Sequence, residues 1–376
     1  MSRFIWPALI GVSVVANSLA QSPAPSHSPS PSPTPSATKA PAKATPAPQP
    51  SPTPTTDDLV NSLNQTDLQA AITLLKNNFT NPDSLTETEL NRATLTGLLA
   101  RLNRGLMLLP GSASTPPENP FYSEIIEGHI GYLRLGSLTT ANLQAMDKKL
   151  AEFHAKKVDA LIVDLRSSPS TNDFAVAAEF ARRFTLKGKT LFTLRKGGSK
   201  QERNFTADRD PVYQGTMMIL TDGDTAGPAE ALAGVIRYYD KALIIGQPTA
   251  GRAVEYSDLP LPSGKILRVA VAEAVLPENR SLFPEGVKPD LPVEMPPADK
   301  RLIFLVSAEK GMSPFIYEAG RAHLNEAALL AGTNPELDAA EAAQQRRGRA
   351  LEKGPYDSVL QRAVDLVTSL AIYQKR

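Results

Sequence analysis

Thr225 is the hydroxyl best placed to attack a substrate. It stands on a turn ahead of a helix, with Lys241 and Arg252 downstream as the basic partners a hydroxyl nucleophile needs. Its simpler role is that of an N-cap for the helix starting near Ala226, with Pro228 in the first turn. Asp222 and Asp224 read as turn residues with solvated carboxylates. Arg252 is open to two readings, an ion-pair residue or a cleft residue whose guanidinium fork contacts a carboxylate. The chain has no cysteine, which excludes thiol nucleophiles, disulfides and lipoprotein attachment. His27, His129, His154 and His323 are isolated, without the HxxxH or His/Glu spacing of a zinc site. His129, just before a strand, reads as a half-buried packing residue. The glycines at Gly197-Gly198 and Gly223 lack a phosphate-loop pattern, so no metal and no cofactor is expected.

Lys and Arg (40) balance Asp and Glu (39), and no basic run or basic-aromatic stripe occurs. Nucleic acid and anionic lipid are therefore not expected partners. Met1-Ser2-Arg3, the apolar run from Phe4 to Ala16 and Ser18-Leu19-Ala20 have the order of a signal peptide, predicted over 1–20. An uncleaved N-terminal anchor is the alternative, although the apolar run falls short of the ~20 residues a bilayer span needs. The chain is thus expected in the periplasm or outside the cell, of a bacterium, with no integral membrane span after cleavage. Residues 21–56 hold 12 prolines among Ser, Thr and Ala, and cannot bury a core. They read as an extended linker, either a semi-rigid spacer or a disordered tail.

The elements that must position these side chains follow. Leu59, Leu63, Leu68, Ile72 and Leu75 recur at helical spacing over 57–78, as do Leu90, Leu95, Leu98, Leu99 and Leu102 over 85–109. The spacing predicts two helices that pack on each other and on the body behind them, the second opened by Thr86 and Glu89 as a capping box. From Ile130 strands and helices alternate. Strands are predicted at 130–135, 160–163, 190–194, 217–220 and 242–245, and helices at 140–156, around Phe174–Phe180 and at 226–239. This is an α/β pattern of βαβ units. Hairpins over 253–276 read as an antiparallel extension of the same sheet. The predicted divisions are a helical region at 57–109, a core at 120–296 and a helical region at 297–376, where Val359, Leu360, Ala363, Val364 and Val367 mark a last helix.

Five segments in order resemble the catalytic domain of the C-terminal processing (tail-specific) serine peptidases. They are Ile130-Gly131-Tyr132-Leu133-Arg134-Leu135, then Leu161-Ile162-Val163-Asp164-Leu165-Arg166-Ser167-Ser168-Pro169, similar to LDLRxNPGG. Next come Asp224-Thr225-Ala226-Gly227-Pro228-Ala229-Glu230, similar to SASASE, and Gly246-Gln247-Pro248-Thr249-Ala250-Gly251-Arg252, similar to GEPTFGKG. Gly286-Val287-Lys288-Pro289-Asp290 matches GVxPD. The resemblance implies a ClpP/crotonase-like core and a serine peptidase whose lysine deprotonates the serine. Carried over, the nucleophile position is Gly227 and the base position Arg252, 25 residues apart as in the family. The glutamine that orients the lysine falls on Tyr256, and the glycine pair of the oxyanion hole on Ser170 and Thr171.

None of these positions keeps its chemistry. Glycine has no side chain to attack with, and arginine stays protonated and cannot act as a base. Pro228 removes a backbone donor beside the nucleophile position. Pro110 to Gly128 is too short for the PDZ domain that many members carry there. The resemblance therefore implies an inactive peptidase-like protein that binds polypeptide or assembles with an envelope protein. The alternatives are an active serine-type peptidase with a non-standard nucleophile, or a passive scaffold for the Pro-rich and C-terminal segments.

Overall fold

The computed structural model describes residues 55–111, 118–169, 171–198, 201–316 and 355–374. The predicted signal peptide, nearly all of the Pro-rich linker, His27, Ser170 and His323 lie outside them. The chain divides into two units, Met1–Asn78 and Phe79–Arg376.

In the first unit the predicted single helix is two, α1 (Thr56–Ser62) and α2 (Gln65–Asn78). Thr55 caps α1, its hydroxyl accepting from the Asp58 N–H while the Asp58 carboxylate accepts from the Thr55 N–H. Leu59, Leu63, Leu68, Ile72 and Leu75 are exposed.

The second unit begins with α3 (Glu87–Arg101), capped by the Thr86 hydroxyl accepting from the Glu89 N–H at 3.2 Å. The predicted helix over 85–109 does not run through. Leu102 ends it, and β1 (Leu106–Leu109) is a strand paired antiparallel with Leu267–Val269 and Ile266 of a later strand. Tertiary pairing overrides helical spacing here.

Two sheets carry the body. The first takes β2 (Tyr122–Ile126), β3 (Ile130–Arg134), β4 (Ala160–Asp164), β7 (Thr216–Thr221), β8 (Leu243–Gly246) and β12 (Leu291–Pro292). Their spatial order is β12-β8-β7-β4-β3-β2, parallel throughout except the β2–β3 edge pair. Its crossovers are α4 (Thr140–Ala155), α5 (Phe174–Arg182) and α6 (Pro228–Tyr238). Thr139 caps α4 and Asp173 caps α5, each side chain accepting a backbone N–H.

The second sheet is antiparallel: β1-β10-β5-β6, with β9 (Val254–Pro260) and β11 (Arg280–Ser281) also paired to β10 (Ile266–Leu276). β5 spans Thr190–Lys196 and β6 Glu202–Thr206. The α/β class is as expected, but the 253–276 hairpin belongs to this separate sheet rather than extending the first.

The apolar run at β4 is buried on both faces, as its composition predicts. Leu161 and Val163 join a core with Leu143, Met146 and Phe153 of α4, Phe180 of α5, Leu232 and Ile236 of α6, and Leu194 and Ala274 of the second sheet. Ala160 and Ile162 point the other way, onto Ile303 of α7 (Pro297–Lys310) and Leu360, Val364 and Val367 of α8 (Ser358–Gln374). The period-2 alternation of a strand separates the two cores.

At the C-terminal end of β4 a fully buried ion network joins these layers. Arg166 donates to both oxygens of Asp164, at 3.0 and 2.7 Å, and to both oxygens of Asp357, at 2.9 and 2.8 Å. Its remaining N–H meets the Met295 sulfur at 3.3 Å, so all five guanidinium donors are engaged. The Tyr132 hydroxyl donates to Asp164 at 2.6 Å. Asp357 also caps α8 by accepting the Leu360 N–H at 2.9 Å.

Removing one partner of such a cluster strands the others. Arg166→Met is expected to lower stability by about 3–5 kcal/mol in urea unfolding, because two buried carboxylates lose their cation. Burial pushes the Asp164 carboxyl up, but the Arg166 charge and the bonds from Arg166 and Tyr132 outweigh it and hold it below the ordinary value. A depressed carboxylate contributes stability above its ordinary value of about 3.9 and loses it as pH falls through the folded value. The stability gap between wild type and Asp164→Asn should accordingly narrow as urea melts are taken from pH 7 to pH 3. A constant gap would contradict the assignment.

Candidate functional site

The last turn before α6 carries the site. Gly227 precedes Pro228 with φ +61° and ψ −123°, a conformation open to glycine and strained for other residues. A sharp strand-to-helix turn of this kind presents its central residue at the C-terminal end of the sheet, as in the nucleophile elbows of hydrolases. Here the residue presented is bare backbone.

Glu230, in the first turn of α6, fixes this elbow. It is fully buried and its carboxylate accepts four hydrogen bonds. Oε1 takes the N–H of Gly227 at 2.9 Å and of Arg252 at 2.7 Å. Oε2 takes the Thr249 hydroxyl at 2.6 Å and the Gly251 N–H at 2.7 Å. Burial pushes its carboxyl up, and these four donors partly oppose the shift. The backbone N–H groups of Gly227 and Arg252, the two positions singled out by the family resemblance, thus meet on a single carboxylate oxygen. Gly251 is obligatory between them: its φ is +67°, and an added Cβ would lie 2.1 Å from the Pro284 carbonyl oxygen.

The other motif segments converge on the same place. Thr249 exchanges bonds with Val287, its N–H donating at 3.1 Å and its hydroxyl accepting at 2.8 Å. The Ala226 N–H donates to the Ser168 carbonyl, and the Ala250 N–H to the Thr225 carbonyl. Asn172 clips the loop after β4 to β9 through two 3.2 Å bonds with the Tyr256 backbone.

Thr225 is neither a cap nor an available hydroxyl. The N-cap of α6 is Gly227, two residues on. The buried Thr225 hydroxyl donates to the Leu165 carbonyl at 3.0 Å and accepts the Asp222 N–H at 3.2 Å, which locks the turn against the end of β4. Lys241 cannot serve as its base, since α6 lies between them and eleven helical residues span about 16 Å.

Tyr256 does not orient Arg252. Its hydroxyl donates to the Arg104 carbonyl at 2.5 Å, and burial raises its own phenol. The Thr171 hydroxyl, on the loop after β4, is buried without a hydrogen-bond partner among the described residues, as are those of Ser167 and Ser168. The Arg252 side chain is exposed at the rim of a cleft of about 500 Å³. Of the histidines, His129 is half-buried as expected, with Nδ1 2.8 Å from the Glu127 carbonyl, and His154 is exposed.

Asp222 corrects the expectation of a solvated turn. It is buried and paired to Lys300 of α7, which also reaches Asp224 at 2.6 Å and the Arg166 carbonyl at 3.1 Å. All three ammonium hydrogens are engaged. Burial is the main cause of a raised Asp222 carboxyl, and Lys300 pulls it back in part. Sequence reasoning passed over Lys300 and Asp357, which stand 134 and 191 residues from Arg166 and have no local pattern to mark them. Glu230 did carry a signal, a lone charge on an otherwise apolar helix start.

Glu230→Gln would turn an amide group toward two N–H or O–H donors. It is expected to cost about 2–5 kcal/mol in denaturant unfolding. Gly227→Ala places a Cβ in the strained elbow and should cost about 1–3 kcal/mol. A neutral result for Gly227→Ala would show that the turn relaxes to another conformation.

The sequence model described as peptidase family S41 matches residues 129–293. The carboxyl-terminal-processing protease of Synechocystis sp. is 25% identical over 167 residues, covering 44% of this chain and 38% of that protein. The carboxy-terminal processing protease CtpA of Bacillus subtilis is 24% identical over 209 residues, covering 55% of this chain and 42% of the relative. The chain therefore matches less than half the length of these relatives. Among solved structures, a putative peptidase from Parabacteroides merdae gives a TM-score of 0.48 at 17% identity, covering 64% of this chain and 85% of that one. The photosystem II D1 C-terminal processing protease gives 0.39 at 22% identity, covering 50% and 47%. Residues 129–293 of this α/β body thus match peptidase family S41, and the relatives they resemble are C-terminal processing proteases.

Proposed function

We propose that this protein is an exported, catalytically inactive relative of the C-terminal processing peptidases that binds polypeptide in the cleft beside the elbow. The observation that carries the reading is the convergence of Gly227 and Arg252 on Glu230 Oε1. By the family resemblance the two positions correspond to a nucleophile and its base, and they offer a bare backbone and a permanent cation. A serine dyad works because a base takes the hydroxyl proton as attack begins. Neither half of that transfer has an atom to perform it here. Thr225, the nearest alternative hydroxyl, is buried and donates to the Leu165 carbonyl.

The cleft supplies the binding half of the reading. It opens where the loops after β4 and β7 meet α7, and is lined by apolar Phe304, Pro169 and Ala226 together with several cations. Export rests on the leader residues Met1 to Ala20, and the Pro-rich stretch behind them would hold the body away from an envelope surface. No helix among the described residues is long and apolar enough to cross a membrane.

Casein hydrolysis separates the readings. The natural protein should leave casein intact under conditions where an active family member digests it. Gly227→Ser/Arg252→Lys tests whether the elbow still supports the chemistry, and any cleavage by this double variant places a nucleophile at 227. Cleavage by the natural protein, abolished by Thr225→Ala, would overturn the proposal.

A further inference from the structure

Arg134, at the end of β3, is a buried cation without a carboxylate. It is 7% exposed, and its single hydrogen bond among the described residues is to the Ser307 hydroxyl at 3.1 Å. Its guanidinium lies between two rings, 4.7 Å from the Tyr122 centroid and 4.2 Å from that of Phe304. These cation–π contacts offset only part of the cost of dehydrating the charge. The carboxylate in register with it on β4, Asp164, is already committed to Arg166 and Tyr132. Arg134 lines the cleft beside the elbow.

The rest of the cleft wall has the same character. Arg252 and Arg301 also line it, both exposed and neither in an ion pair among the described residues. The two other cations there are already served, Arg166 by Asp164 and Asp357 and Lys300 by Asp222 and Asp224. Asp224 is the sole acidic residue among those lining the cleft, and it belongs to that pairing. The Ser167 hydroxyl, on the same wall, is buried with no partner among the described residues. Three guanidinium groups that make no ion pair among the described residues, one of them dehydrated, thus line this cleft together with the Ser167 hydroxyl.

We infer that this cleft selects carboxylates, and that its ligand is an acidic polypeptide whose carboxylate is held by Arg134, with Arg252 and Arg301 at the rim. The guanidinium fork matches a carboxylate in two parallel bonds, and Phe304 and Tyr122 hold the Arg134 fork at a fixed orientation. The inference rests on the polypeptide-binding reading above and adds the ligand's chemistry to it.

The test uses the full chain and fluorescence anisotropy with a labelled octapeptide containing three glutamates, beside the same peptide with glutamines. Each is made with a free and with an amidated C-terminus. The glutamate peptide should bind about tenfold more tightly than its glutamine counterpart. Retention of that preference in the amidated pair assigns it to side-chain carboxylates. Tighter binding of both free-acid peptides than of their amides, with glutamate and glutamine alike, assigns the same site to a terminal carboxylate. Arg252→Gln and Arg301→Gln, both at exposed positions, should each reduce the preference several-fold without altering the urea midpoint. Arg134→Gln should abolish it, and Arg134→Lys, which keeps the charge but loses the fork, should restore only part. Equal binding of all four peptides overturns the carboxylate site while leaving polypeptide binding in place. Binding of neither peptide overturns both.

Discussion

Glu230 has exchanged its hydration for four donors, and the geometry of the site follows from that exchange. A buried carboxylate without partners is too costly to keep. Once Gly227, Thr249, Gly251 and Arg252 supply the donors, the start of α6 and the loop after β8 cannot move apart without stranding the charge. The elbow is therefore held in its strained form by a network that lies entirely behind it. This network reaches residue 227 through its backbone N–H and does not depend on what side chain stands there.

A second buried network bears on the same face from below. Arg166 ties the end of β4 to Asp357 at the start of α8, and its carbonyl receives Lys300 from α7. Lys300 in turn holds Asp222 and Asp224 on the turn leading to the elbow. The two C-terminal helices are thus part of the site's foundation as well as the cover of the second core. The pairs are weak as net sources of stability, because desolvation offsets most of their attraction. Their contribution is to fix positions, since each charge tolerates only the arrangement that satisfies the others.

Much of this was legible in the residues. The β4 run, the crossover helices and the Gly/Pro-punctuated motif segments follow from apolar periodicity and turn chemistry, which act over a few residues. The placement of Gly227 and Arg252 in one site followed only from the resemblance of their motif segments to those of the C-terminal processing peptidases. Periodicity failed at Leu106–Leu109. A four-residue apolar stretch suits a helix or a strand, and the partner that decided between them, β10, lies about 160 residues further on. It failed again for the hairpin at 253–276, whose alternation is the same whichever sheet receives it.

The sequence by itself determined what is chemically absent at the elbow. Glycine and arginine lack a nucleophile and a base in any fold, so no tertiary arrangement can restore them at those positions. Only the tertiary structure decided which groups are free. Thr225 and Asp222 looked available on a polar turn, yet one is locked to a β4 carbonyl and the other is buried against a lysine 78 residues away. Arg134 looked like an ordinary strand-end residue, yet it is a dehydrated charge between two rings, one of them from α7. Burial and pairing are properties of neighbours brought together across the fold, and a linear sequence does not contain those neighbours until it has folded.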